Sequence, residues 1–340
     1  MVDNKFNLGI KNAVCVCMNV QENDRVLIIS DQPTLKIGQA LSDEAKLVGA
    51  ETTLLILEDF GQRPMTDLPS GLIEGISDFI PSVTFFAASS LQGEIKMRMG
   101  LSAGIRQAFQ ELGQPTPRHG HMVSITEPLI SQGMTADYKE IHRLTHQVLD
   151  IVKNAETIQV TSSRGSEVTA EFNPDYKWIP CHGLYHQPGD WGNLPEGEVF
   201  TCPWNLNGTL VVDVLGDYFS PKYGVLKHPM TIEVKDSWVT NVSCEDGFIA
   251  DEFLSYIDSA ENGRRAGEFA IGTNTEVKEL SGNLLQDEKI PGIHVAFGNP
   301  YGRQTGADWQ SEVHVDVVPI NCTIHVDGEK IMENGVFTLG

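Results

Sequence analysis

Asp24-Arg25-Val26-Leu27-Ile28-Ile29-Ser30-Asp31 is the stretch on which the fold turns. Four apolar residues run without alternation and a polar pair closes them, the pattern of a strand covered on both faces. Residues 34–50 follow with apolar side chains at helical spacing: Ile37, Leu41, Ala45, Leu47 and Val48. Glu51 to Leu57, rich in Thr, Leu and Ile, reads as a second strand. Val83-Thr84-Phe85-Phe86-Ala87 is a third, Met99 to Leu112 a helix, and His121-Met122-Val123-Ser124-Ile125 a fourth strand. This alternation predicts a parallel sheet with helices on both faces.

A helix expected over 136–156 closes this first region, and the texture then changes. Short alternating stretches follow, among them Ile158-Gln159-Val160-Thr161-Ser162, Thr209 to Val214, Met230 to Val234 and Thr323 to Val326. Asp327-Gly328 and Asn334-Gly335 are hairpin-turn signals, and one helix is expected from Gly247 to Ser259. The expectation is an α/β domain with a parallel sheet over 1–155, then a strand-rich α+β catalytic domain over 156–340.

With 340 residues, 41% of them hydrophobic and 21% charged, the chain is long enough for two cores of ordinary size. Its net charge of -22 argues against nucleic acid and anionic membranes, both of which need a basic footprint. No apolar run approaches the ~18 residues of a spanning helix, and no cleavable apolar stretch follows the first residues, so a cytoplasmic address is expected. Cys15, Cys17, Cys181, Cys202, Cys244 and Cys322 are irregularly spaced and read as free thiols. No GxGxxG follows the first strand, so no dinucleotide cofactor is expected. Asp31 and Ser89 fall just past strand ends, where α/β sheets place ligands.

The chemistry concentrates in the last third. His314-Val315-Asp316 is an i,i+2 pair, so on a strand both side chains reach one face while Val313, Val315 and Val317 take the other. His294 precedes a Val-Ala-Phe strand, and Glu268 sits between Gly267 and Phe269. Three of these four donors would make a metal site; all four, with a bridging carboxylate, would make a two-metal site. Glu198, in Glu196-Gly197-Glu198-Val199-Phe200, is a further candidate. Acids among apolar residues are costly to bury unpaired, and metal ligation offsets that cost.

The segments Leu194 to Pro203, Gly267 to Asn274, Asp287 to Gly298 and Val313 to Val317, with the Asp24 to Ile28 strand, resemble the thermophilic metallo-aminopeptidase (aminopeptidase T) family. The resemblance spans nearly the whole chain; its motifs are specific jointly rather than singly. It implies that Glu198, Glu268, His294, His314 and Asp316 hold two divalent ions (Zn, Co or Mn), and that Tyr301 matches the family's active-site tyrosine. The activity implied is hydrolytic release of an N-terminal amino acid from a peptide or small amide by a metal-activated water. Glu268 or Glu198 would shuttle the proton, Tyr301 would steady the oxyanion, and a homodimer is the implied assembly.

A rival reading comes with the same likeness. Ring-cleaving 2,5-dihydroxypyridine dioxygenases resemble relatives of these peptidases and hold one Fe(II) through two histidines and a carboxylate. His314 and Asp316 match two of those ligands, but the third position falls at Glu268 instead of a histidine, and Glu198 stands where an apolar residue is expected. Both departures favour the two-metal pattern. A binding protein on a degenerate peptidase fold is the non-enzymatic alternative, separated from the others by whether the five donors converge.

Other polar residues are expected to play lesser parts. His142 and His146 form an i,i+4 pair without the Glu of HExxH, so surface or packing roles are expected. His182, His186, Asp190 and Trp191 precede Glu198 as rim candidates. Arg303, Gln304, Asp308 and Trp309 are candidates for the pocket wall. His119 and His121 read as packing residues, and Arg264-Arg265 as supports for a carboxylate ligand or as solvent-facing charges.

Overall fold

The structure is a computed structural model, and it describes residues 2–339. Two compact units divide the chain. The first runs as far as Lys139 and takes in Gly183–Glu196; the second comprises Glu140–His182 and the residues from Gly197 onward.

In the first unit, strands run parallel in the order Glu51–Ile56, Arg25–Ser30, Val83–Ala87, Arg118–His121 and Trp191–Asn193. Val26, Leu27, Ile28 and Ile29 are fully buried, as an uninterrupted apolar run requires of a strand covered on both sides. The helix Leu35–Val48 buries Ile37, Leu41 and Ala45 and ends at Gly49, whose φ of 100° suits a residue without a Cβ. Leu47 departs from the expected stripe and is 82% exposed, because a residue two places after Ala45 points to the opposite side of a helix. The fourth strand lies at Arg118–His121 rather than at 121–125. Cys15 and Cys17 fall in a π-helical turn, Asn12–Cys17.

Asp31 and Ser89 are tied into the protein's own network and do not present a free ligand position. The Asp31 carboxylate accepts from Thr34 N at 3.0 Å and from Ser89 N at 2.8 Å, and it pairs with buried Arg63. Arg63 also reaches Glu94, 2.5 Å away. Burial works against the Asp31 charge, yet the bonds from Thr34, Ser89 and Arg63 hold its carboxyl below the usual range.

The second unit holds two antiparallel sheets. One has eight strands, and the neighbours Val326↔Glu329 and Glu333↔Val336 flank the two hairpin turns read from sequence. Asp327, Gly328, Asn334 and Gly335 all have positive φ, as two-residue type I′ turns require. The other sheet orders Val214–Leu215, His314–Val318, Gly292–Gly298, Ala266–Gly272, Glu198–Thr201 and Ile179–Cys181. The helix Gly247–Ile257 starts at Asp246, whose side chain accepts from Phe248 N. It buries Phe253 and Ile257 in the same core as Phe269, Val295, Phe297, Val315 and Val317.

The division differs from a boundary at 155 for two physical reasons. The helix Tyr138–Val152 places Leu144, Val148 and Val152 in the second unit's core. The strand Trp191–Asn193 pairs with Arg118–His121, which returns 183–196 to the first unit. Among the described residues no helix is long and apolar enough to cross a membrane.

Candidate metal centre

Four adjacent strands of the six-stranded sheet build one polar face. Register places Asp316 opposite Ala296, His294 opposite Ala270, and Glu198 opposite Gly272. With a side-chain period of two, Glu198, Glu268, His294, His314 and Asp316 all share this face. Ala270, Gly272, Ala296 and Gly298 alternate with the donors on it and leave the space between them open, with Phe200 on the same face at its edge. The opposite face carries Phe269, Ile271, Val295, Phe297, Val315 and Val317 into the core. The alternation expected for 313–317 is the one observed.

A bulge between Ala266 and Glu268 lets the strand carry Ala266 into the core while Glu268, in phase with Ala270 and Gly272, stays on this face. Gly267 permits it, because a Cβ at that position would collide with the carbonyl oxygen of Gly298.

The five donors converge. His294 Nε2 lies 3.4 Å from Glu268 Oε1, 3.6 Å from Glu198 Oε2 and 3.8 Å from Asp316 Oδ1. His314 Nε2 lies 3.4 Å from Glu268 Oε2 and 3.5 Å from Asp316 Oδ1. These separations are long for hydrogen bonds. They match the spacing of about 3.4 Å between N or O donors that surround an ion at roughly 2.0–2.2 Å. Glu268 turns one oxygen to each imidazole.

Both histidines are oriented from behind. The Nδ1 atoms of His294 and His314 bond to the carbonyl oxygens of Glu288 at 3.0 Å and Asn299 at 2.9 Å. A carbonyl accepts only, so each Nδ1 carries a proton and each Nε2 faces the carboxylates, the atom that would bind an ion once the ring is neutral. Glu198 adds a direct test of fit. Its Oε2 is buried and has no hydrogen-bond partner, a costly arrangement that a cation at this point relieves. The donor set fits one or two divalent transition ions.

Two further residues belong to the cluster. Glu288 comes together with His294 and Asp316, and Lys289 places its ammonium 2.7 Å from Glu198 Oε1 and 2.8 Å from Glu288 Oε1. Lys289 is only 1% exposed. Sequence reasoning passed over both. The one available signal was a Glu-Lys pair five and six places before His294, and adjacent charges in a polar stretch ordinarily face solvent.

The field of the site is strongly negative. Burial opposes charge on His294, but Glu268, Glu198 and Asp316 raise its pKa to about 10. The same opposition at His314, dominated by Asp316, gives about 9. Burial pushes the Glu288 carboxyl up, while His314 and His294 overcome burial at Asp316 and hold it down. The Tyr301 ring packs against His314, with centroids 4.6 Å apart, and against Phe200 at 5.9 Å. Its phenol is held well above the usual tyrosine range by burial and by Glu268, Asp316, Glu288 and Glu198. Because 40% of the residue remains in solvent, the four carboxylates are the firmer cause.

Several other candidates lie elsewhere. Arg264 pairs with Asp258, and Arg265 stacks over Trp309 at 4.4 Å, so neither is bonded to a carboxylate of the cluster. Trp309 is buried with Cys202 and Ala307, whereas Arg303, Gln304 and Asp308 are exposed. His186 bonds the Val16 carbonyl at 2.9 Å and Asp190 accepts from Gln187 N at 2.8 Å, both inside the first unit. His119 and His121 also lie there, in ring contact with Trp191. His182 instead joins His142 and His146.

A family model described as 2,5-dihydroxypyridine 5,6-dioxygenase (NicX) matches residues 12–272. Two solved structures share the fold across all of this chain. AmpT from Thermus thermophilus has a TM-score of 0.71 at 15% identity, with 100% of both chains covered. The 2,5-dihydroxypyridine dioxygenase from Pseudomonas putida KT2440 has a TM-score of 0.69 at 15% identity, covering 100% of this chain and 98% of that one. No curated protein sequence matches. The aminopeptidase T likeness is thus one of fold, shared equally with a dioxygenase. Since the family model covers well over half of the sequence, the chain belongs to the 2,5-dihydroxypyridine 5,6-dioxygenase (NicX) family.

Proposed function

We propose that this member of the family is a metal-dependent hydrolase of the aminopeptidase type, with two divalent ions (Zn, Co or Mn) and a peptide or small amide as substrate. The observation that carries the reading is the position of Glu268. Its two oxygens face different histidines at 3.4 Å each, and the donors fall into two groups, Glu198-Glu268-His294 and Glu268-His314-Asp316, that share it. A mononuclear iron triad uses two histidines and one carboxylate, whereas this cluster offers three carboxylates among its five donors. Bound there, divalent ions supply an acidified water and polarise the scissile carbonyl.

The chain's own residues supply the rest. Tyr301, its phenol held protonated far above neutral pH, donates a hydrogen bond to the developing oxyanion. Glu268 shuttles the proton, and Glu288 adds a carboxyl whose raised proton affinity suits exchange near neutrality. Phe200 and Tyr301 offer an apolar wall beside the donors. Homodimer assembly and a cytoplasmic address belong to the same reading.

A ring-cleaving Fe(II) dioxygenase is the second reading. Family membership favours it, although the matched segment ends at 272, before His294, His314 and Asp316. Lys289 favours it too, since an ammonium 2.7 Å from Glu198 can stand in for a second cation. Elemental analysis of protein purified without added metal separates the two. About two Zn, Co or Mn ions per chain, with aminoacyl-amide turnover that Glu268→Gln abolishes, is the expected result. One iron per chain with oxygen uptake on 2,5-dihydroxypyridine overturns it.

A further inference from the structure

His142, His146 and His182 gather in the second unit, outside the acidic cluster. The ring centroids of His142 and His146 are 4.2 Å apart, and His182 stands 4.6 Å from the first and 5.4 Å from the second. One ring nitrogen from each lies within 4.8 Å of the others, and all three residues are half-buried.

We propose that these three imidazoles form a separate transition-metal site, selective for zinc-like ions, with an open fourth position. Two rigid elements hold it. His142 and His146 project from one face of the helix Tyr138–Val152, one turn apart. That helix is fixed by Leu144, Val148 and Val152 in the core and by the Thr145 hydroxyl, 2.7 Å from that of Thr273. His182 directly follows the edge strand Ile179–Cys181, whose register with Glu198–Thr201 fixes its backbone.

Orientation supports ligation. His146 Nδ1 bonds the His142 carbonyl oxygen at 2.9 Å. A carbonyl only accepts, so Nδ1 carries the proton and Nε2 keeps its lone pair for an ion. Three nitrogens around a tetrahedral ion stand about 3.4 Å apart, a closure within reach of small side-chain rotations. A donor set of nitrogen alone selects zinc, nickel or copper over magnesium, calcium or manganese, unlike the carboxylate-rich cluster. The net charge of -22 raises the local concentration of cations.

The test is a zinc titration of the full chain, followed by desalting and elemental analysis. His146→Gln and His182→Gln each retain one zinc fewer than the unmutated protein and bind it more than about tenfold more weakly, since even an outer partner of a ligand is worth ~10–100-fold in affinity. Equal zinc counts in all three proteins overturn the proposal. Should either variant fail to fold, zinc-edge anomalous scattering from crystals of the unmutated chain, equilibrated with zinc alone, replaces it. A peak among the three imidazoles is expected. No peak there, at a zinc concentration that fills the acidic cluster, overturns the site.

Discussion

Lys289 shows how one buried charge sets the state of its surroundings. Its ammonium bonds Glu198 and Glu288 in a nearly solvent-free position. Lys289→Met keeps the bulk and removes the charge, leaving two buried carboxylates without their counter-ion. The expected cost to the metal-free protein is about 3–5 kcal/mol, read from urea unfolding. Metal stoichiometry discriminates further: it stays at two per chain if both ions are native, whereas a rise from one to two shows that the lysine had replaced an ion. His294 and His314 make a second prediction. Their folded pKa values, about 10 and about 9, lie above the ~6.5 of an unfolded histidine. Their contribution to metal-free stability is therefore complete below about pH 6.5 and is lost as pH rises through 9 and 10. Ligation needs the neutral ring, so metal affinity rises over the same window. Melting curves of stripped and loaded protein from pH 6 to 10 should diverge steadily; parallel curves would rule the assignment out.

At the scale of elements, the site depends on a face of four strands and on one bulge. The extra residue at Gly267 lets Ala266 turn to the core immediately before Glu268, which keeps phase with Ala270 and Gly272 on the polar face. Gly267→Ala forces a Cβ against the Gly298 carbonyl. We expect a loss of about 1–3 kcal/mol and a marked fall in metal affinity, because the strain displaces the shared carboxylate. Thermal melting with calorimetric metal titration checks both, and a variant that melts lower yet binds metal normally would show that the bulge does not position Glu268. The alternation of His314 and Asp316 against Val313, Val315 and Val317 was legible because a half-buried strand has a period of two. His294 was grouped with them by residue type; its position beside them is set by antiparallel register across a 15-residue connection, which no local period records.

For the whole molecule, every proposed donor lies in the second unit and the parallel sheet lies in the first. Chelation should therefore lower the melting of one unit and leave the other in place. At a free metal concentration near 100 times Kd the stabilisation lost is about 2.7 kcal/mol. Scanning calorimetry with and without a chelator tests this; a uniform shift of one transition would mean that the units unfold together.

The sequence by itself determined the parallel sheet, the strand-rich second unit, the two hairpin turns and the five side chains proposed as donors. Each of these is written locally, in a period, a turn dipeptide or a residue type. Tertiary structure alone decided the rest. It drew Tyr138–Val152 into the second core and returned Trp191–Asn193 to the first sheet, because pairing and burial are satisfied by distant partners. It also set Glu288 and Lys289 beside Glu198, and His182 beside His142 and His146. The energy of a charge or an imidazole depends on what surrounds it in space, and no local pattern in the chain records those neighbours.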